Sequence, residues 1–200
     1  MRIFSVVFPV VMALDIILPF LLAIPYRGYS HMKATMSVIG CRQSPLGRVY
    51  SLWTILSGIV FVWAGLVLYV EHPGHPVLRV LLLVLLMLYG VGCEILSGLF
   101  PVGATKNDMG VSAKIHGVGS VVGFMAMLFA PLVLGILQWR DGSVGTGVVS
   151  LACFVLALVA FALFVMADKP NFRGTFIGNE GLWQRLALGF MYLPFFVWVI

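Results

Sequence analysis

Residues 144–167 read VGTGVVSLACFVLALVAFALFVMA, with no charged side chain from end to end. A helix rising about 1.5 Å per residue needs about 20 apolar residues to cross a hydrocarbon core of about 30 Å. The stretch is long enough, and its apolar run is continuous. A barrel strand would instead span in about ten residues of alternating polarity. The segment therefore reads as a transmembrane helix. Five further runs of the same kind lie at about 3–24, 52–70, 78–99, 112–137 and 182–200. The expected fold is all-α: a polytopic transmembrane helical bundle of about six spans, forming one domain over 1–200 with no soluble appendage. The first run exceeds a signal-peptide core and no small-residue cleavage site follows it, so it is expected to be retained.

Composition agrees. The chain has 200 residues, 62% hydrophobic and 10% charged, with a mean hydropathy of +1.10. A soluble surface needs roughly a quarter of its residues charged, so this chain cannot cover itself for water. The net charge of +5 is read as attraction to anionic headgroups and as orientation, not as a nucleic-acid footprint. Cys41, Cys93 and Cys153 show no metal-ligand spacing and read as packing residues. No metal and no cofactor is expected.

Connections alternate in length. Long loops follow spans one, three and five, at about 25–51, 100–111 and 168–181. Short turns surround Pro73-Gly74 and Asp141-Gly142. Six spans then gather the long loops on one face. That face carries Arg27, Lys33, Arg42, Arg48, Lys106, Lys114, Lys169, Arg173 and Arg185, against Arg2, Arg79 and Arg140 opposite. Nine basic residues against three predict a cytoplasmic long-loop face in a multi-pass cell-membrane protein. The first long loop is too apolar for a free linker and is expected to pack onto the bundle mouth. Small residues, among them Gly58, Gly65 and the pair Gly119 and Gly123, predict close helix contacts.

Ionisable groups inside a membrane are costly and normally face the bundle interior with a partner. Asp15 falls near the midplane, with Pro19 four residues on, unable to donate to the Asp15 carbonyl. It reads either as a proton or cation relay, or as a protonated acid bonded to a neighbouring helix. Glu94 lies about 8 Å below the Leu99 end of the third span, on a stripe with Gly90, Cys93, Ser97 and Gly98. His116 enters the fourth span from the same side, between Ser112 and Ser120. A Glu94–His116 pair reads as a catalytic acid/base couple, as part of a metal site (which the lack of a second histidine in register disfavours), or as a bond fixing two helices. Ser112 and Asn179 are the expected helix caps. Arg185, in the first turns of the last span, needs a carboxylate or phosphate, with Glu94 or a lipid phosphate as partner. The substrate-binding candidates are Arg185, Lys114, Lys106, Ser37, Trp183, Gln184, Glu180 and His31. His72 and His75 read as solvated, and Arg79 as a headgroup contact.

The motifs Tyr26…Ser37-Val38-Ile39-Gly40…Ser44-Pro45, Gly98-Leu99-Phe100-Pro101 followed by His116, and Gly181-Leu182-Trp183-Gln184-Arg185 occur in order over nearly the whole chain. In them the sequence resembles the bacterial and archaeal domain-of-unknown-function family 998. The resemblance implies six membrane helices with motifs gathered on the long-loop face, and it brings no activity. It also implies an early acidic residue after Phe100-Pro101, where this chain has Val102-Gly103 and only later Asp108. The layout is remotely similar to eukaryotic six-helix proteins implicated in lipid remodelling.

Three functions fit these residues. The first binds or modifies a lipid or amphiphile headgroup at the long-loop face, with membrane lipids as partners. The second is a small proton-coupled transporter, which at six spans would require a homodimer. The third is a non-catalytic assembly or stress-response protein. No nucleophile elbow and no HExxH motif is present, so the sequence does not decide whether the chain is an enzyme.

Overall fold

The structure, a computed structural model, describes residues 3–71, 74–103 and 110–199. Six long helices carry the chain: α1 Phe4–Leu22, α2 Gly47–Glu71, α3 Pro76–Leu99, α4 Val111–Arg140, α5 Val144–Ala167 and α6 Glu180–Val199. The first five are long and apolar enough to cross a membrane. The sixth has 20 residues and carries Glu180, Gln184 and Arg185 in its first turns. Each helix packs on the next in chain order, and α6 returns to pack on α1, closing a ring. Helix α4 also touches α6 and is the most enclosed span at 61% buried, against 22% for α1 and α5, which form the outer wall. That wall is apolar: Val6, Ile17, Val148, Val155 and Val159 lie exposed on it. This is the inverse of a soluble protein's surface and suits lipid.

The spans start and stop within a few residues of the boundaries read from sequence, with one larger shift. Helix α2 begins at Gly47, five residues before Leu52. Pro76 opens α3 at its first turn behind His75, whose φ of 50° is left-handed. The expected cap at Ser112 is displaced to Gly110, and the Ser112 hydroxyl donates to Pro101 O at 3.0 Å. Asn179 does stand directly before α6, but its Nδ2 donates to Phe176 O at 2.9 Å.

Proline at position 19 does not interrupt α1, which runs unbroken through Pro9 and Pro19. The irregular helix is α3, where Tyr89–Ile95 forms a π-helical segment. Its glycines seat it between two neighbours. A β-carbon on Gly90 would stand 2.6 Å from Gly58 O of α2, and one on Gly92 would stand 2.7 Å from Gly119 O of α4. A β-carbon on Gly123 would reach Cys93 N at 2.5 Å. The glycines thus let three backbones meet, which is how helices associate where water provides no drive.

On the short-turn face, His75 Nε2 lies 3.4 Å from Asp141 Oδ1, tying one turn to the other. The half-buried Arg79 lays its guanidinium over the Tyr69 ring, 4.6 Å from the centroid. His72 lies outside the described residues.

Candidate functional site

The first long loop folds back over the long-loop end of the bundle, and the start of α6 holds it there. Arg185 Nη1 donates to His31 O at 2.8 Å, Ala34 O at 3.2 Å and Gly181 O at 2.8 Å. Its Nη2 donates to the Tyr29 hydroxyl at 2.7 Å and to His31 Nδ1 at 3.4 Å. Met36 N–H donates to Gln184 Oε1 at 2.8 Å, and Leu182 N–H to Met32 O at 3.1 Å. Gly181 is needed there, since a β-carbon would press on His31 O at 2.5 Å. Burial and the neighbouring Arg185 charge together hold His31 below the ordinary histidine range. Burial likewise raises the Tyr29 phenol, with Arg185 opposing. Trp183 Nε1 donates to Ile177 O at 2.9 Å, and its ring meets Phe176 edge-on. Glu180 stands in the first turn of α6.

Under this folded loop lies a cavity of about 360 Å³, within the usual range for a small-molecule site. Its polar wall includes Glu94, Ser97, His116, Ser120, Ser37, Thr54 and Gln184. Its apolar wall is Phe124 and Met125 of α4, Phe161 and Phe164 of α5, and Leu188 of α6. Phe124, Phe161 and Phe164 stack on one another at 5.7–6.2 Å. Among the described residues that line it, none is lysine or arginine.

Glu94 and His116 both face this cavity, but each bonds elsewhere. Glu94 Oε1 accepts from the Tyr89 hydroxyl at 2.8 Å. The two residues are five apart, roughly 140° around an α-helix at 3.6 residues per turn. The π-helical segment, whose register is i to i+5, brings them together. His116 Nδ1 lies 3.1 Å from Phe100 O. His116 thereby satisfies a carbonyl just past the C-terminal end of α3. The Ser97 and Ser120 hydroxyls meet at 3.1 Å between α3 and α4.

Deeper in the bundle, Asp15 accepts three hydrogen bonds. Trp53 Nε1 donates to Oδ1 at 2.6 Å, and the hydroxyls of Ser57 and Tyr192 donate to Oδ2 at 2.7 and 3.1 Å. Trp53 and Ser57 are one turn apart on α2 and share a face. The Tyr192 hydroxyl also lies 2.5 Å from that of Tyr89.

The structure therefore gathers Glu94, His116, Ser37 and Gln184 at one cavity. Arg185 and His31 belong to the loop clamp instead, and Trp183 contacts Phe176 and Ile177 of the third long loop. Lys114 is exposed and lines a separate apolar groove between α3 and α4, with Val118 and Val122. Lys106 and Asp108 lie outside the described residues. Sequence reasoning missed Tyr89, Tyr192, Trp53 and Ser57. Each reads as an ordinary residue in an apolar run until the partner helix is known. Among the described residues no three of His, Cys, Asp and Glu gather to hold a metal.

A family described as "Protein of unknown function (DUF998)" matches residues 9–200. No curated protein and no solved structure matches the chain.

Proposed function

The chain belongs to the DUF998 family and is an integral membrane protein; from that premise we propose that it binds an amphiphile in the cavity beneath its first loop. The apolar body would lie on Phe124, Phe161 and Phe164, and an uncharged or amine-bearing headgroup would meet Glu94 and the serine hydroxyls. One observation carries the reading. The cavity joins an aromatic wall to a polar wall that holds a carboxyl group and an imidazole and, among its described residues, no lysine or arginine. That chemistry suits hydroxyl or ammonium groups and disfavours the anionic headgroup expected from Arg185 and Lys114. Transport is the weaker reading. On the short-turn side of Asp15 stand Phe8, Phe61 and Phe195, all fully buried, with the Phe8 ring edge-on to both of the others. We place the long-loop face in the cytoplasm, on the nine basic residues against three.

The test is the lipid fraction retained by protein purified in mild detergent, read by mass spectrometry. Gly117 lines the cavity, and a β-carbon there would meet nothing within 4 Å, so Gly117→Leu is the substitution chosen to reduce it. The expected outcome is at least a several-fold loss of one retained amphiphile in Gly117→Leu, with selective loss of amine-bearing species in Glu94→Gln. Retention unchanged by both substitutions would exclude the cavity as the binding site.

A further inference from the structure

Three hydrogen bonds run in series through the bundle and join two carboxyl groups on different helices. Glu94 of α3 meets the Tyr89 hydroxyl at 2.8 Å, Tyr89 meets Tyr192 of α6 at 2.5 Å, and Tyr192 meets Asp15 of α1 at 3.1 Å. A phenol has one hydrogen to donate. With both carboxyls ionised, the two phenolic hydrogens would point outward. Two phenol oxygens would then face each other across 2.5 Å with no hydrogen between them. One more proton satisfies every link.

We propose that Asp15 and Glu94 hold a single proton in common, passed between them along the hydroxyls of Tyr192 and Tyr89. With the proton on Glu94, its O–H donates to Tyr89, Tyr89 donates to Tyr192, and Tyr192 donates to Asp15. Three hops in one direction reverse the arrangement. The Glu94 O–H breaks as Tyr89 gains its proton, Tyr89 gives its own to Tyr192, and Tyr192 gives its own to Asp15. Each phenol gives one proton and takes one, so the pair keeps one negative charge throughout.

Among the described residues the surroundings supply no lysine or arginine. Asp15 receives Trp53 and Ser57 from α2. Tyr50 of α2 and Cys93 of α3 stand near both acids, Tyr29 of the first loop stands near Tyr50, and His116 of α4 faces the same cavity as Glu94. None of these is a lysine or arginine. Two carboxylates joined through two phenols, without a cation, repel each other. A shared proton removes that repulsion and retains the hydrogen bonds.

The relay ends at Asp15, and beyond it toward the short-turn face stand the fully buried rings of Phe8, Phe61 and Phe195, so it stores a proton and does not carry one across the membrane. At its other end Glu94 lines the cavity. An ammonium group arriving there meets a carboxylate, with the displaced proton held on Asp15. The shared proton itself does not depend on the cavity's ligand.

Infrared spectroscopy of the purified protein at neutral pH tests this through the C=O stretch of a protonated carboxylic acid and its shift in D2O. The expected result is one such acid per chain. In Glu94→Gln the new amide donates to Tyr89 in place of the proton, and in Asp15→Asn it donates to Tyr192. Either substitution alone should therefore abolish the signal. Two independently protonated acids would each survive the other's substitution, and a signal persisting in either variant overturns the proposal. Should a variant fail to fold by circular dichroism, the wild-type intensity decides: one acid per chain supports the relay, and none or two overturn it.

Discussion

Arg185 shows how a half-buried cation in a membrane protein finds partners. Its charge and fork of donors suggest a carboxylate or phosphate. The structure instead fills Nη1 and Nη2 with three backbone carbonyls, a phenol and an imidazole nitrogen. Lysine lacks the planar fork, so Arg185→Lys should loosen the first loop at a cost of about 1–3 kcal/mol. Limited proteolysis between α1 and α2 would report it as faster cleavage. His31 adds a pH dependence to the same clamp. Its proton affinity is held down by burial and by Arg185, so between the ordinary histidine pKa and the lowered one the unfolded chain binds more protons than the folded one. Stability therefore rises with pH in that window and falls as pH drops below about 6.5. Thermal melts across it should show this slope in the wild type and a weaker one in His31→Gln.

At the level of the element, α3 decides most of what is functional. Glycines at 90 and 92 make its middle narrow, and the π-helical register swings Tyr89 and Glu94 to one side. Small residues at these positions are visible in the sequence, and they predict close packing. The π register is not visible, because it is set by the neighbours the helix must fit between. Adding a methyl group at Gly90 drives it into Gly58 O. Gly90→Ala should therefore cost about 1–3 kcal/mol by overpacking. Gly189 lies within α6 with nothing near a β-carbon. Gly189→Ala should be neutral or stabilise by up to about 1 kcal/mol. Detergent-solubilised thermal melts of the two variants should move in opposite directions, or only the first should move.

At the level of the whole molecule, a closed ring of six helices presents an apolar wall to lipid and a folded loop at one end. The cavity, the clamp and the upper end of the proton relay all lie at that end. The proposed orientation is checked by the exposed Asn171 in the third long loop. Asn171→Cys should be labelled by an impermeant maleimide only after the cell membrane is opened. Labelling of intact cells would reverse the assignment.

The spans, their order, the alternation of long and short connections, and the face on which polar chemistry gathers are all legible in the linear chain. Those follow from hydrocarbon thickness and from the cost of burying charge, which act on each segment locally. The same cost marks Asp15, Glu94, His116 and Arg185 as residues needing partners. Which partners they take is a matter of packing. Glu94 went to Tyr89 and not to His116, Arg185 to carbonyls and not to an acid, and Asp15 to Trp53, Ser57 and Tyr192. A polar group in a low-dielectric interior takes whichever donor or acceptor the packing brings within about 3 Å. That choice depends on crossing geometry and on a π-helical turn, and neither is written in any single segment.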